Sequence, residues 1–395
     1  MAQTDYNFKE IMQMEACTSC SVCADVCPVV LATHDGQFSG LYRLDELKKI
    51  MRSRTGFFQR FFGKKEPDKD LLKKFSETVY RCTLCGRCQE KCPSGIQLKE
   101  LWLTLRQDLI NSNAFPEKIN MIRENIFESH NVFNEDNKER SEWVEDMRDA
   151  PDHGYIKDQA DVVYFTGCVS AYFPMAQPIP IAFAEIMDTA GIDFTLLGEE
   201  EWCCGFPLLS AGLKFEFKEL VAHNIEAVKA KGAKKVVMSC PSCFQMWQEY
   251  YPKEFEFIHV TQYLNSLISS GRLKLKDHSL TVTYHDPCDL GRGGREFEAP
   301  RNIIHSIKGI NFVEMANNKE NCLCCGGGGN LEMIDADLSK NISKAKIEDI
   351  IDTGADAVVT ACQQCVRTMN TYVKRNKIPI EVMDIVQLVR QALKK

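Results

Sequence analysis

The sequence predicts a multidomain protein of mixed α+β and α/β class, in which a helical N-terminal module is followed by two duplicated α/β domains. Three observations lead to this prediction. Two CxxCxxCxxxCP runs lie within about the first hundred residues, and a different cysteine pattern occurs twice in the rest of the chain. Around that second pattern, short β-branched stretches alternate with amphipathic stretches of helical length, which is typical of parallel sheets covered by helices.

The spacing of these features suggests four segments. We expect an N-terminal module at 1–110 with a basic insertion at 31–80, a helical linker at 111–158, a first duplicated domain at 159–272 and a second at 273–395.

Composition narrows the functional classes. The chain has 395 residues, 44% of them hydrophobic, and a net charge of -7, which argues against a general nucleic-acid binder. Its 19 cysteines lie mostly in CxxC clusters, and the N-terminal MAQTDYNFKE is not an apolar signal segment. We therefore expect metal-binding thiolates in a reducing cytoplasm rather than disulfides. No apolar run approaches the roughly 18 residues that span a bilayer, so we expect a soluble or peripheral protein.

The two N-terminal runs have the spacing of bacterial ferredoxins. In that pattern four thiolates hold each cubane [4Fe–4S] cluster, and the fourth cysteine of each run serves the other cluster. We therefore predict one cubane on Cys17, Cys20, Cys23 and Cys92, and another on Cys82, Cys85, Cys88 and Cys27. Pro28 and Pro93 follow the fourth cysteines. The alternative is a pair of zinc sites. Two cubanes in one module would conduct electrons without bond chemistry of their own.

The insertion between the two runs is rich in cations and phenylalanines. Its notable residues are Arg52, Arg54, Phe57, Phe58, Arg60, Phe61, Phe62, Lys64 and Lys65. Such a segment could dock on a membrane or a membrane subunit. The alternative is a helical hairpin whose aromatic side chains pack on the ferredoxin-like core. In the linker, His153 is interpreted as a solvated loop residue.

The cysteine pattern of the C-terminal part is an internal duplication. The first copy is Cys168, Cys203, Cys204, Cys240 and Cys243, and the second is Cys288, Cys324, Cys325, Cys362 and Cys365. Equivalent cysteines are 120 to 122 residues apart, and GAKKVVMSCPSC repeats as GADAVVTACQQC. The lone cysteine and the CxxC of each copy follow predicted strands. Because sites in open α/β sheets form beyond the carboxyl ends of strands, the five thiols of each half should converge there.

Five thiolates exceed the four that a cubane needs. Adjacent cysteines cannot easily hold two corners of one compact cube, but they can bridge or hold separate irons in a more open cluster, and thiolates are ligands that iron–sulfur clusters select. The alternative is an ordinary four-ligand cluster plus one spare cysteine. Glycines after each pair (Gly205 and Gly326 to Gly329) would let the backbone approach sulfide. Cys322 lies outside both copies and is interpreted as a buried spectator.

These residues carry a family resemblance. Each half resembles the CCG domain, and two such domains behind a two-cluster ferredoxin module resemble the D subunit of heterodisulfide reductase over almost the whole chain. The resemblance implies that the five cysteines of each half hold a noncubane [4Fe–4S] cluster, with the coenzyme M–coenzyme B disulfide split between the two. It also implies electrons from a membrane cytochrome b partner, the E-like subunit. Asp289 replaces a histidine common in relatives, and the second glycine run ends at Asn330, so the substrate pocket is expected to differ.

His285 completes the predicted catalytic residues. With Asp286 it precedes Cys288 at a strand end, where it could deliver protons to a departing thiolate. The alternative is that its ring anchors the turn by hydrogen bonds.

The leading functional prediction is therefore an enzyme, an iron–sulfur thiol:disulfide reductase that acts on a small-molecule disulfide. The first alternative is an electron-relay subunit of a flavin-dependent dehydrogenase complex, of the glycolate oxidase or glycerol-3-phosphate dehydrogenase type. The second is a zinc scaffold. The glycines at 291–294 do not follow the GxGxxG spacing, so we predict no flavin and no NAD on this chain. We expect a cytoplasmic protein held peripherally on the membrane through a partner subunit.

Overall fold

The computed structural model describes residues 6–55, 68–152 and 154–394. It groups the chain into two compact units. Unit 1 comprises residues 1–121, 207–216 and 326–342, and unit 2 comprises 122–206, 217–325 and 343–395. These limits differ from the predicted domain boundaries, because part of the 111–158 segment belongs to each unit and both segments that follow the Cys-Cys pairs belong to unit 1. The four-domain division therefore stays a prediction.

Some residues singled out in the sequence lie outside the described residues. They are Phe57, Phe58, Arg60, Phe61, Phe62, Lys64, Lys65 and His153.

Unit 1 is built from helices. Their bounds are Phe8–Glu15, Val22–Asp25, Pro28–Thr33, Gly40–Thr55, Lys69–Tyr80, Arg87–Glu90, Leu98–Asn111 and Leu331–Ile334, with a 3₁₀ turn at Gly36–Phe38. Asn7 and Glu10 form a capping box at the first of them. Pro28 occupies the first turn of its helix, where the missing N–H has no intrahelical partner to lose. In the insertion, the helix Lys69–Tyr80 buries Leu72, Phe75 and Val79.

Unit 2 contains two parallel sheets of identical topology. The first consists of β1 (Val162–Phe165), β2 (Phe194–Thr195), β3 (Lys235–Met238) and β4 (Glu256–His259), in the order β2-β1-β3-β4. The second consists of β5 (Leu280–His285), β6 (Ile310–Phe312), β7 (Ala357–Thr360) and β8 (Glu381–Asp384), in the order β6-β5-β7-β8. The central registers also correspond, since Phe165 is opposite Met238 and His285 is opposite Thr360. The predicted duplicated α/β class is confirmed.

Helices cover both sheets and join the two halves. The α-helices of unit 2 are Cys168–Tyr172, Pro178–Thr189, Lys218–Ala230, Pro241–Tyr250, Val260–Ser269, Glu298–Ser306, Gln363–Arg375 and Ile385–Gln391. The other α-helices of the chain that the structure describes are Lys118–Ser129, Phe206–Ala211 and Ala336–Ile351, all or part of which belongs to unit 1. Short 3₁₀ segments lie at Asn137–Val144, Gly198–Glu200 and Lys319–Asn321, and a π-helical turn lies at Asp289–Gly293.

The halves pack with approximate two-fold correspondence. Pro178–Thr189 contacts Ile385–Gln391, and Val260–Ser269 contacts Glu298–Ser306, so an early helix of each half packs on the last helix of the other. One buried apolar core runs through both halves and includes Phe183, Leu264, Ile303 and Val389. The duplicated sequence therefore folds as a pair rather than as two independent domains.

Within the described residues, no helix combines the length and the apolar character needed to cross a membrane.

Candidate metal centres

The eight ferredoxin-type cysteines of unit 1 surround two cavities. Cys17, Cys20, Cys23 and Cys92 line the first, and Cys27, Cys82, Cys85 and Cys88 line the second. Each cavity therefore takes three cysteines from one run and the fourth from the other, as the spacing predicts. The assignment of these thiols as iron ligands remains our proposal.

The two cysteine runs share an unusual loop backbone. The residue two positions after the first cysteine is left-handed in both, with φ of 57° at Ser19 and 53° at Leu84. The residue after the second cysteine is also left-handed, with φ of 65° at Ser21 and 72° at Gly86. Non-glycine residues adopt this conformation at a cost, and such strain is concentrated at functional sites. The loop brings the N–H of Leu84 to 3.4 Å from the sulfur of Cys82, as suits a thiolate ligand.

The thiols of these cavities suit a positively charged metal group. Burial, and then the nearby Cys17, raise the pKa of Cys23 to about 11. Burial also raises the pKa of Cys88 well above its ordinary value, with Cys82 and Cys85 adding to the shift. Since thiolates are the form that binds metal, such sites reach their binding form together with a compensating positive charge.

Two buried guanidinium groups lie beside the second cavity. Arg43 donates to the carbonyl of Thr78 at 2.7 Å and partly offsets the effect of burial on the pKa of Cys27. Arg106 donates to the carbonyl of Cys82 at 2.8 Å. Fixed positive charge stabilises a neighbouring group as it gains an electron. These two side chains therefore favour the reduced state of a redox group in the second cavity.

The glycine run after the second Cys-Cys pair has a packing role within unit 1. A Cβ on Gly328 would lie 2.7 Å from the carbonyl oxygen of Thr83, and one on Gly329 would lie closer still to the carbonyl oxygen of Cys82. Arg106 donates to the carbonyl of Gly329 at 3.0 Å. The structure therefore gives these glycines a reason other than the predicted approach to sulfide, namely close contact with the ferredoxin-type backbone.

The five predicted cysteines of the first half form one continuous chain of thiol contacts. Neighbouring thiols act directly on one another's pKa from Cys168 to Cys203, Cys203 to Cys204, Cys204 to Cys243, and Cys243 to Cys240. All five are buried. Hydrogen bonds from Cys203 and Cys243 lower the pKa of Cys204 to about 6. The local reason for this convergence is that Cys168 and Cys240 follow the adjacent parallel strands β1 and β3.

A buried ion pair supports the lone cysteine of the first half. Arg140 donates to Glu201 at 2.8 Å, and both side chains are 1% exposed. The other end of the guanidinium lies 3.7 Å from the sulfur of Cys168. Glu201 also accepts from the N–H groups of Thr166 and Gly167, each at 2.8 Å. The carboxylate therefore fixes the loop that carries Cys168, and Arg140 places a positive charge against its sulfur.

The second half brings together three of its cysteines and a histidine. Cys365 is in hydrogen-bond contact with Cys325 and Cys362. A ring nitrogen of His285 and the sulfurs of Cys325 and Cys365 all lie within 4.8 Å of one another. Of the other two predicted ligands, Cys324 is buried and precedes Cys325 in the sequence. Cys288 is half-buried and follows β5, and its sulfur lies 4.0 Å from a carboxylate oxygen of Asp289.

Cys322 is buried, as predicted, but it is not an apolar spectator. Its sulfur lies 3.4 Å from Nδ1 of His285 and 3.7 Å from Nζ of Lys346. Lys346 is fully buried and is paired with Asp349 at 2.9 Å. Burial alone would raise the pKa of Cys322, but Lys346 and then His285 lower it to about 7. The thiol is therefore part of a polar network. The predicted partner of His285, Asp286, is instead held by Arg301 at 2.8 and 3.0 Å.

Polar side chains of the second half reach into the first. Gln363, which follows Cys362, donates at 2.7 Å both to the carbonyl of Thr166 and to the hydroxyl of Ser239, and accepts from the N–H of Ser170 at 3.2 Å. A Cβ on Gly167 would lie 3.4 Å from both Cys243 and Gln363. The two thiol groups are therefore close neighbours.

Asp289 forms a second bridge between the halves. It accepts from the hydroxyl of Ser242 at 2.7 Å, and its charge also acts on Cys240. The aspartate that replaces the expected histidine therefore helps join the two thiol groups.

Comparison with known proteins matches the same regions. The model of the 4Fe-4S dicluster domain matches residues 13–96, and the model of the cysteine-rich CCG domain matches 162–248 and 282–370. The D subunit of the dihydromethanophenazine:CoB–CoM heterodisulfide reductase of Methanosarcina acetivorans is 38% identical over 97% of this chain and 95% of its own length. Its counterpart in Methanosarcina mazei is 37% identical with the same coverage. The chain belongs to the family of heterodisulfide reductase D subunits.

More distant relatives share only part of their length. The EtfAB:quinone oxidoreductase of Syntrophomonas wolfei is 26% identical over 80% of this chain and 47% of that protein. Together these matches show that the chain is an iron–sulfur oxidoreductase subunit with 4Fe-4S and CCG domains. Its clusters, when bound, supply one-electron chemistry. The buried, metal-compatible thiol groups described above fit such clusters.

Several residues of the site were not found from the sequence. They are Arg140, Glu201, Lys346 and Gln363, none of which is a cysteine of the family pattern. Glu201 and Gln363 had a usable signal, since each lies within two residues of a predicted ligand. Arg140 and Lys346 had none, because they lie 28 and 24 residues from the cysteines that they contact.

Proposed function

We propose that this chain takes electrons through two cubane clusters in the ferredoxin-type module and uses the clusters of its cysteine-rich halves to reduce a disulfide. The substrate that we propose is the coenzyme M–coenzyme B heterodisulfide or an analogue. The observation that carries this proposal is the pair of neighbouring thiol groups in unit 2, with five buried thiols in the first half and the grouped Cys325, Cys362 and Cys365 in the second.

The reaction needs two electrons and two protons, which convert one disulfide into two thiols. Two electron-donating sites close together suit this chemistry, since each released sulfur can be held while the other is reduced. The chain's own contribution is to hold the two sites in a fixed arrangement, through Gln363 on one side and the Ser242–Asp289 hydrogen bond on the other. Such pre-organisation removes reorganisation from the reaction step.

The ligand assignment is part of the proposal. Cys168, Cys203, Cys204, Cys240 and Cys243 would hold the first noncubane cluster, and Cys288, Cys324, Cys325, Cys362 and Cys365 the second. The partners that we propose are a membrane cytochrome b subunit of the E type as electron donor and a small-molecule disulfide as substrate. The support is the name of the Methanosarcina relatives, which are subunits of a dihydromethanophenazine:CoB–CoM heterodisulfide reductase. The complex would hold the chain at the membrane surface.

The test is anaerobic oxidation of reduced viologen by the purified, iron-replete protein after addition of the coenzyme M–coenzyme B disulfide. Cystine and glutathione disulfide serve as controls for selectivity. Rapid, selective oxidation supports the proposal. No turnover in protein that carries all of its clusters contradicts it.

Cysteine variants identify the site of the reaction. We expect Cys204→Ser and Cys325→Ser each to abolish disulfide reduction and to leave the spectroscopic signals of the two cubanes unchanged. Full activity in either variant would show that the five-thiolate assignment is wrong for that half.

A second candidate function is electron relay between a flavoprotein and quinone. The relative that is named an EtfAB:quinone oxidoreductase favours it. In that case the purified chain would transfer electrons from a reduced flavoprotein to a quinone analogue and would be inert toward the disulfide.

A further inference from the structure

His285 stands out among the buried side chains of the second half. It ends β5 and is 1% exposed. Its Nδ1 lies 3.4 Å from the sulfur of Cys322, while its Nε2 has no hydrogen-bond partner among the residues that the structure describes. A ring nitrogen of the same imidazole lies within 4.8 Å of the sulfurs of Cys325 and Cys365. The unpartnered nitrogen therefore belongs to a ring that lies against two proposed cluster ligands.

A buried polar atom without a partner destabilises the folded state, so buried polar groups nearly always have one. The ring that carries Nε2 lies against the sulfurs of Cys325 and Cys365, so a partner for Nε2 can come from that side. A group held by those thiols is such a partner.

The second ring nitrogen of His285, Nδ1, has a contact that fixes the ring, as in metal-binding histidines. These histidines usually use their second ring nitrogen for a hydrogen bond that fixes the orientation of the imidazole. Here Cys322 contacts Nδ1, Nζ of Lys346 lies 3.7 Å from the sulfur of Cys322, and Lys346 in turn donates to Asp349 at 2.9 Å. Lys346 is donor-only and fully buried, so this arrangement is set by the fold rather than by solvent.

The first half has no such arrangement. The residue that corresponds to His285, three positions before the lone cysteine, is Phe165. The residue that corresponds to Cys322, two positions before the Cys-Cys pair, is Glu201, which is paired with Arg140. The imidazole is thus specific to the second half, although the strands and cysteines around it are duplicated.

We propose that Nε2 of His285 directly contacts the cluster that the second-half cysteines hold, so that the two halves carry clusters with different protein contacts. This inference rests on the proposed function in one respect, namely that the second half holds a cluster. The contact has two chemical forms. When Nδ1 carries the proton, Nε2 offers a lone pair to iron; when Nε2 carries it, its N–H donates to a cluster sulfur. The proposal gives His285 a role other than proton delivery.

The test uses the full, cluster-loaded protein labelled with ¹⁵N at histidine. Pulsed electron paramagnetic resonance of partially reduced samples detects magnetic coupling between a histidine nitrogen and a cluster. We expect such a coupling in the unsubstituted protein, strong if Nε2 binds iron and weak if it donates a hydrogen bond. We expect it to be lost in His285→Phe, which introduces the residue found in the first half. The control is His305→Gln, at an exposed position on the helix Glu298–Ser306, which should keep the coupling.

The result that overturns the proposal is the absence of histidine coupling in the unsubstituted protein, or a coupling that survives in His285→Phe. Because the first measurement needs no variant, a folding defect in His285→Phe does not prevent the test. The outcome is also separable from the proposed function. Disulfide reduction without histidine coupling refutes the contact alone, and histidine coupling without disulfide reduction refutes the substrate alone.

Discussion

The two cysteine-rich halves have the same strands, sheet order and thiol positions, but they differ in what supports the lone cysteine. In the first half, Glu201 and Arg140 form a fully buried ion pair against Cys168. In the second half, the equivalent of Glu201 is Cys322, which contacts His285 and Lys346. The comparison shows that duplication kept the backbone and the thiols, while the polar groups around them diverged. Beside the thiols, the first half has the Arg140–Glu201 ion pair, and the second has the imidazole of His285 in contact with Cys322.

The largest effect should come from breaking the ion pair of the first half. Arg140→Met leaves Glu201 buried without its cation, and removal of one partner of a buried pair typically costs about 3–5 kcal/mol in the free energy of unfolding. The measurement is anaerobic urea denaturation. The double variant Arg140→Met/Glu201→Gln should regain most of the loss, because no unpaired charge remains. Equal free energies of unfolding in the single and double variants would show that the unpaired charge of Glu201 is not what destabilises the protein.

The next effect concerns the buried connection between the halves. Gln363→Leu leaves the carbonyl of Thr166, the hydroxyl of Ser239 and the N–H of Ser170 without this partner, which should cost about 2–3 kcal/mol in the free energy of unfolding. Gln364→Leu is the matched control, because the neighbouring side chain bonds to Thr368 of its own helix. We expect urea denaturation to shift in the first variant much more than in the second.

A pH effect should distinguish the equivalent strand ends His259 and Asp384. Both cap the next helix, and burial lowers the pKa of His259 to about 3 but raises that of Asp384 to about 7. His259 is neutral in the folded state and protonates near its ordinary pKa when unfolded. The contribution of neutral His259 to the free energy of unfolding is therefore complete above about pH 6.5, and it is lost as the pH falls toward the pKa of about 3 in the folded state.

By pH 5.5 this loss should reach about 1 kcal/mol. His259→Asn, which keeps a capping acceptor, should lose less stability than the unsubstituted protein between pH 8 and pH 5.5. The measurement is the urea midpoint at the two pH values. An unchanged pH dependence in the variant would assign the acid sensitivity to other groups.

The smallest effect should come from the exposed connection between the halves. Arg390 and Glu185 form a two-point ion pair of 2.6 and 2.7 Å, with side chains 42% and 33% exposed. Because solvent screens such pairs, Glu185→Gln should change the free energy of unfolding by less than about 0.5 kcal/mol. A loss as large as that of Gln363→Leu would mean that surface charge, rather than the buried amide, joins the halves.

The duplicated fold predicted from the sequence is confirmed. The structure brings together the five cysteines of the first half and Cys325, Cys362 and Cys365 of the second, because lone and CxxC cysteines follow buried parallel strands, and neighbouring strands in a parallel sheet end at one edge. Their role as cluster ligands stays a prediction. The sequence-based interpretation was incomplete for Cys322, which was correctly placed in the interior but was expected to be inert. Its polar partners come from another helix and another strand, which no local pattern around Cys322 indicates. The glycines after Cys325 were likewise expected for a cluster, whereas in unit 1 Gly328 and Gly329 pack against backbone carbonyls of the ferredoxin-type loop.

What the sequence alone determined is the set of thiols and the strands that present them, because ligand spacing and strand ends are local properties of the chain. Tertiary structure decided which charges and amides reach those thiols. Gln363 bonds to Thr166 across 197 residues, and Arg140 meets Glu201 across 61. The first contact depends on how the two duplicated sheets pack together and the second on how the segment before β1 folds back, and no periodicity within either copy encodes that packing. The same physical reason separates the halves: the copies share their local sequence pattern, and long-range contacts make their sites different.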